Sequence, residues 1–292
     1  MNTDNMRSSA RGWMVQALAE FVGTAMFLYV AVGGADSVSD GLGYSASGSI
    51  LARSFAFGFS LIFVSWSFFR ISGSHFNPAL SLSSCITGHI SVVKFILYSF
   101  AQVVGGMLGV ALARGTTPSS ASIEQTNQLF YGESIARGFF LEFFLTAILC
   151  FVYHMTVHEK NRSTFMAALP YGITLFSCHL FATRYTNAAI NPAQAFAVSI
   201  VARSFAERIF FIFIFGPLTG GIFAAGLHIL FRFLDYDKYN AGIDADNLVQ
   251  YRRAQDALDG HYGHHGHHGA PVAGAGPGTT PATTVGHDGL PR

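Results

Sequence analysis

Charge is scarce in this sequence. Lys and Arg number 17 and Asp and Glu 16 across 292 residues, together 11% of the chain, where an ordinary soluble protein carries roughly 25%. A cytosolic enzyme of usual composition is thereby excluded. The formal net charge is +1 and no long basic run exists, so the electrostatic footprint of a nucleic-acid binder is missing. Cysteine is scarce too: Cys85, Cys150 and Cys178 are odd in number, far apart and set among apolar residues. They offer neither a disulfide framework nor a metal-ligand spacing. No nucleophile–base pairing, metal-ligand cluster or phosphate-binding glycine loop is legible, so no enzymatic activity, cofactor or metal is expected.

What the chain has instead is apolar length. Hydrophobic residues make up 51%, with 29 Phe and 31 Gly, and the mean hydropathy is +0.39. A helix needs about 20 mostly apolar residues to cross a bilayer, and six segments qualify: Trp13–Ala35, Ile50–Arg70, Val92–Ala113, Gly138–Val157, Phe165–Ala182 and Ile209–Phe231. The first is too long for a secretory signal and has no small-residue cleavage pattern after it. The expectation is an all-α integral membrane protein, with a short segment 1–12, a transmembrane domain 13–234 and a tail 235–292. Residues Gly260–Arg292 hold nine Gly and four Pro around a His-Gly tract and cannot bury enough apolar surface to fold. Loop Lys and Arg divide eleven against six in favour of the side that carries both termini, which predicts both termini in the cytoplasm, of a plasma or internal membrane.

The strongest signal is an internal repeat. Glu20 in Ala19-Glu20-Phe21-Val22-Gly23-Thr24 faces Glu142 in Leu141-Glu142-Phe143-Phe144-Leu145-Thr146. Asn77-Pro78-Ala79 faces Asn191-Pro192-Ala193, and Gly105-Gly106 faces Gly220-Gly221, in the same order. The repeats cover about 13–115 and 136–234. Each holds three spans, an odd number, so the second is inverted in the membrane.

After each Asn-Pro-Ala the residues read as a short helix, with Asn as N-cap and Pro at the first helical position. About eleven residues at 1.5 Å each make roughly 16 Å, half the hydrocarbon thickness. Two such half-helices meeting N-terminus to N-terminus place two positive dipole ends at the membrane centre. The amides of Asn77 and Asn191 would donate to the oxygen of a passing water, breaking the donor chain a proton would follow, while the dipoles repel cations. That is a device for passing neutral molecules and refusing charge.

With these motifs, and with Ser72-Gly73-Ser74-His75-Phe76, Ala101-Gln102 and Gly216-Pro217, the chain resembles the aquaporins, or major intrinsic proteins, over about Ala17–Phe231. The long His-rich tail is similar to that of some fungal members. The resemblance implies an aquaporin-like fold of six spans and two half-helices, a homotetramer in the lipid bilayer with one pore per subunit, and an outer constriction of four residues. Carried over by spacing from the two Asn residues, these are Phe57, His179, Ala188 and Gln194. Phe57 and His179 match the water-selective pattern. Gln194 stands where the family nearly always has Arg, which implies a wider and less positive constriction and weaker exclusion of cations or protons. Arg184, just before the second motif, is a candidate replacement for the missing charge.

Glu20 and Glu142 are the sole carboxylates in the six spans as read. A proton relay is one reading; the preferred one is structural, holding the loops beneath the two Asn residues together with Pro78, Ala79, Pro192 and Ala193. The expected function is a passive channel for water and, given Gln194, other small neutral solutes. Three alternatives stand beside it: a broad channel for glycerol, hydrogen peroxide or ammonia, a secondary transporter, and a closed scaffolding relative.

Overall fold

Helix starts follow the capping chemistry of the sequence. The structure, a computed structural model, describes residues 3–38, 46–117, 127, 129–130, 132–159, 163–205 and 210–239. Its helices are α1 (Thr3–Ser37), α2 (Ala46–Phe68), α3 (Pro78–Ile86), α4 (Val92–Thr116), α5 (Ile135–Tyr153), α6 (Ala168–Ala182), α7 (Pro192–Ala202) and α8 (Gly216–Phe233). A π-helical turn continues α5 at His154–His158 and another precedes α8 at Phe210–Phe215. Ser91 and Ser134 cap α4 and α5 by accepting from the N–H groups of Lys94 and Arg137. Among the described residues there is no strand.

Among the described residues five helices are long and apolar enough to cross a membrane, the segments Ala10–Ser37, Ser47–Phe68, Val92–Thr116, Ile135–His158 and Phe210–Phe233. The span expected at Phe165–Ala182 is shorter. It consists of a 3-10 turn, Thr164–Met166, followed by α6 of 15 residues. Pro170 stands third in α6, where a missing N–H is tolerated only within the first turn, so the α-helix cannot extend far upstream. The first span agrees more closely: its crossing stretch is Ala10–Ser37 against the expected Trp13–Ala35, and the helix itself continues upstream to Thr3. Pro217 likewise lacks the N–H that would bond back one turn, and the widened turn Phe210–Phe215 lies immediately before it.

The packing has the two-fold pattern of the repeat. α1 packs on α4 and α2, α5 packs on α8 and α6, and α2 meets α6 across the centre. α3 lies against α8 and α4, and α7 against α4. Glycine permits these approaches. A Cβ on Gly105 would run into the Phe21 carbonyl, and one on the equivalent Gly220 into the Phe143 carbonyl. Gly58 and Gly172, also equivalent, each face the other's carbonyl oxygen where α2 meets α6. Small residues at such contacts let helices close without a hydrophobic force between them.

The outside of this bundle is apolar. Phe59, Phe63, Trp66, Phe100, Phe144 and Phe223 are all exposed, far more than a soluble monomer presents in one belt. The inside holds the polar groups, with Glu20, Glu142, Gln102, His179 and Gln194 buried.

The chain divides into Met1–Asp246 and Asn247–Arg292. The tail expected to lack structure from residue 235 begins with an ordered 3-10 turn, Tyr236–Lys238, in which the Lys238 ammonium bonds the Asp235 carboxylate. The remainder, including His264, His265, His267 and His268, lies outside the described residues.

Candidate functional site

The two loops that lead into α3 and α7 hold backbone that L-residues rarely adopt. Ser74 and Phe76 have φ of 58° and 50°, and the equivalent Ala188 and Ile190 have 54° and 51°. Each such residue costs of order 1–3 kcal/mol. The carboxylates expected to be structural supply the compensation. Glu20 accepts from the N–H of His75 at 3.0 Å and of Phe76 at 2.7 Å, one on each oxygen. Glu142 accepts from Ala189 at 3.1 Å and Ile190 at 2.6 Å in the same manner.

The supporting partners are shared only in part. The equivalent hydroxyls of Ser72 and Thr186 bond Glu20 and Glu142, the latter at 2.6 Å, and in the first half Gln102 Nε2 also donates to Glu20 at 2.8 Å and to Ser81 Oγ at 2.9 Å. Three tyrosine hydroxyls donate to carbonyls of the first loop, Tyr98 to Ser72, Tyr153 to Gly73 and Tyr171 to His75. The sequence reading missed these tyrosines. One signal was available: Tyr171 lies as far before Asn191 as Phe57 lies before Asn77.

Asn77 and Asn191 cap their half-helices as expected. The Oδ1 of each accepts from the N–H of Ala79 or Ala193 at 2.9 Å, with Pro78 and Pro192 at the first helical position. Their amide nitrogens are not both wholly free, as the sequence reading had them. Asn77 Nδ2 donates to the Ile190 carbonyl at 2.9 Å, and Asn191 Nδ2 donates to the Phe76 carbonyl at 2.8 Å. Each loop is thus tied to the other by its own Asn. An amide carries two N–H groups, so one on each side is left over. Between them lies a cavity of about 10 Å³ lined by both Asn residues with Phe27, Leu61, Leu175 and Gln194, room for about one water.

Of the four residues carried over to the outer constriction, two are in direct contact. Phe57 stacks on His179, centroids 3.8 Å apart and planes 23° apart. Both are fully buried, and neither ring nitrogen of His179 has a protein partner. Gln194 is 1% exposed and its Nε2 also lacks a protein partner. Ala188 is buried, with its backbone fixed through Thr186, whose hydroxyl accepts from the Ala188 N–H.

Arg184, the candidate for the missing charge, is exposed. A different arginine is buried: Arg53 lies within the second span and is 8% exposed. Its guanidinium carbon stands 5.5 Å from the Phe57 ring centroid, a cation–π distance. The i, i+4 spacing of Arg53 and Phe57 was the signal, because it puts both on one helix face.

At the opposite end, where α5 and α8 finish, Glu159 bonds His228 Nε2 at 2.7 Å and Arg232 at 3.1 Å. Partial burial works to raise the Glu159 carboxyl, but the bonds from His228 and Tyr236 and the Arg232 charge hold it below its ordinary value.

Comparison with known proteins gives a consistent result. The family model described as Major intrinsic protein matches residues 7–228. Aquaporin-2 of Saccharomyces cerevisiae is 36% identical over 80% of this chain and 82% of its own length. Aquaporin-1 of Laccaria bicolor is 36% identical over 78% of this chain and 74% of its own. The X-ray structure of the aquaglyceroporin from Plasmodium falciparum superposes with a TM-score of 0.63 at 19% identity, covering 74% of this chain and 96% of that one. At that identity it bears on the fold alone.

Proposed function

This chain belongs to the major intrinsic protein family, an integral membrane channel and not an enzyme, and from that premise we propose that it conducts water passively through a pore centred on Asn77 and Asn191. The observation that carries the reading is the crossed tie between these residues around a cavity of about 10 Å³. Space for one water, with amide donors on two sides and the N-termini of α3 and α7 facing it, favours a neutral acceptor over a cation. Glu20, Glu142, Pro78, Ala79, Pro192 and Ala193 hold the loops that present the two amides. Phe57, His179, Ala188 and Gln194 form the outer constriction.

Water is favoured over glycerol by the Phe57–His179 stack, which fills the constriction with two rings. A second reading has its own support: Gln194 offers a neutral amide where Arg is usual in the family, which suits small uncharged polar solutes such as glycerol, hydrogen peroxide or ammonia. By the same family reasoning the protein assembles as a homotetramer with a pore in each subunit, and the excess of Lys and Arg on one side keeps both termini in the cytoplasm.

The test is reconstitution of the full chain into liposomes, with osmotic shrinkage followed by light scattering against sucrose and glycerol gradients. Fast shrinkage with sucrose and slow re-swelling with glycerol is the expected result. Shrinkage no faster than in empty liposomes would reject the channel, and saturable, gradient-coupled uptake would point to a transporter.

A further inference from the structure

The sequence holds one histidine pair at i, i+4, His154 and His158, and the fold adds a third histidine from a distant segment. His89 follows α3, and His154 and His158 belong to the π-helical turn that ends α5. One nitrogen from each ring lies within 4.8 Å of the other two. We propose that these imidazoles form a binding site for a divalent transition metal of the zinc, copper or nickel type, and that its occupation slows permeation. The second part rests on the channel reading above; the first does not.

Imidazole nitrogen is the ligand these metals share, and three of them leave a coordination position open for water. Two of the three rings are already oriented by partners on their other nitrogen, as ligating histidines generally are. His154 Nε2 lies 2.6 Å from Ser83 Oγ on α3, and His89 Nδ1 lies 2.8 Å from Thr87 Oγ1. His154 therefore turns its Nδ1 inward, 2.8 Å from Nδ1 of His158. With the metal on Nδ1, the single proton of neutral His154 sits on Nε2, donated to Ser83. Bonds of about 2.0–2.1 Å at a tetrahedral metal separate two nitrogens by about 3.4 Å, so the pair opens slightly on binding. His89 makes the larger adjustment. Its ring stacks on His158 at 3.7 Å, and it is exposed, after Gly88 at φ +81°.

A fourth ring borders the site: His228 stacks on His154 with centroids 4.9 Å apart and bonds the Glu159 carboxylate, which also pairs with Arg232. A recess of about 530 Å³, lined by Thr87, His89, His228 and Arg232 among others, opens beside it and gives the ion a route of entry. On the inner side the His158 ring is 6.5 Å from that of His75, two residues before Asn77. A metal there would clamp the turn after α3 to the end of α5 at this end of the pore.

The experiment uses the full chain without an affinity tag, in wild type and in a variant with His264, His265, His267 and His268 changed to Ala, so that the tail cannot supply the binding. Zinc is titrated calorimetrically in detergent, with magnesium as the control ion. In the tail variant one zinc equivalent is expected to persist, and His89→Ala or His158→Ala added to it should weaken that equivalent by about tenfold or more. His154→Ala also removes the Ser83 bond, so the more exposed His89→Ala is the decisive change. In liposomes zinc should slow water flux of the tail variant by about twofold or more and leave that of the His89→Ala form unchanged. Zinc stoichiometry and affinity unaffected by His89→Ala and His158→Ala would overturn the site. Binding with no change in flux would overturn its effect on permeation. Absence of zinc-free flux would count against the channel reading, with the calorimetry still deciding the site.

Discussion

The Arg53 guanidinium stands 5.5 Å from the centre of the Phe57 ring, one turn away on α2. On the channel reading proposed above, Arg53 is the candidate for the charge absent at Gln194; it interacts with the buried Asp36 carboxylate and stands against a ring that is itself stacked on His179.

Removing that charge should loosen the barrier to cations. In liposomes carrying a pH-sensitive dye, Arg53→Gln is expected to raise proton leak by about tenfold, equivalent to about 1.4 kcal/mol of barrier, with water flux retained. Gln194→Arg, which adds a second cation where one already acts, should change the leak by less. Equal leak in wild type and Arg53→Gln would remove Arg53 from the selectivity account.

The Phe57–His179 stack makes a prediction about size. Phe57→Ala deletes one of the two rings and should raise glycerol permeability about fivefold or more, with a smaller gain for water, since water already fits. The readout is the ratio of glycerol to water permeability in one vesicle preparation. An unchanged ratio would mean that the outer stack does not limit solute size.

Glu20 and Glu142 separate a structural from a transport role. Glu142→Gln replaces one acceptor oxygen with an NH2 group facing the N–H of Ala189 or Ile190, leaving a buried donor unpaired at a cost of about 2 kcal/mol. Glu20→Gln should cost a similar amount, because the same pair of backbone donors is held at His75 and Phe76. Thermal unfolding in detergent should show two comparable decreases, with no change in proton transport at permissive temperature. Loss of proton-coupled uptake with unaltered stability would favour the transporter.

Gly105 and Gly220 give a packing test. Ala at either forces a Cβ into the carbonyl of Phe21 or Phe143 and should destabilise by about 1–3 kcal/mol, the usual range for overpacking. Gly226, in α8 with nothing within 4 Å of an added Cβ, should accept Ala with a gain of up to about 1 kcal/mol from helix propensity. Thermal unfolding of the three variants side by side decides the matter.

The sequence alone determined the elements governed by local chemistry. Apolar runs marked the long spans because a bilayer demands about 20 such residues, and Asn-Pro marked the half-helices because that pair suits a helix start. The repeat placed Glu20 opposite Glu142 and Asn77 opposite Asn191. The sixth span was legible in position but not in form, since Pro170 trades α-helix for a 3-10 turn.

Tertiary structure alone decided what depends on two segments meeting. That Asn77 bonds Ile190, and Asn191 bonds Phe76, requires both half-helices to arrive at one point, and no local pattern encodes that distance. The tyrosines reach the first loop from α4, α5 and α6, so each bond spans a separation that sequence spacing does not report. His154 and His158 pair by their i, i+4 spacing, but His89 joins them only because α3 and α5 end together. Arg53 reads as an ordinary loop cation until α2 buries it beside Phe57. Composition and periodicity act along the chain, where sequence is explicit; charge placement and ligand geometry act across space, where only the packed bundle defines who is near whom.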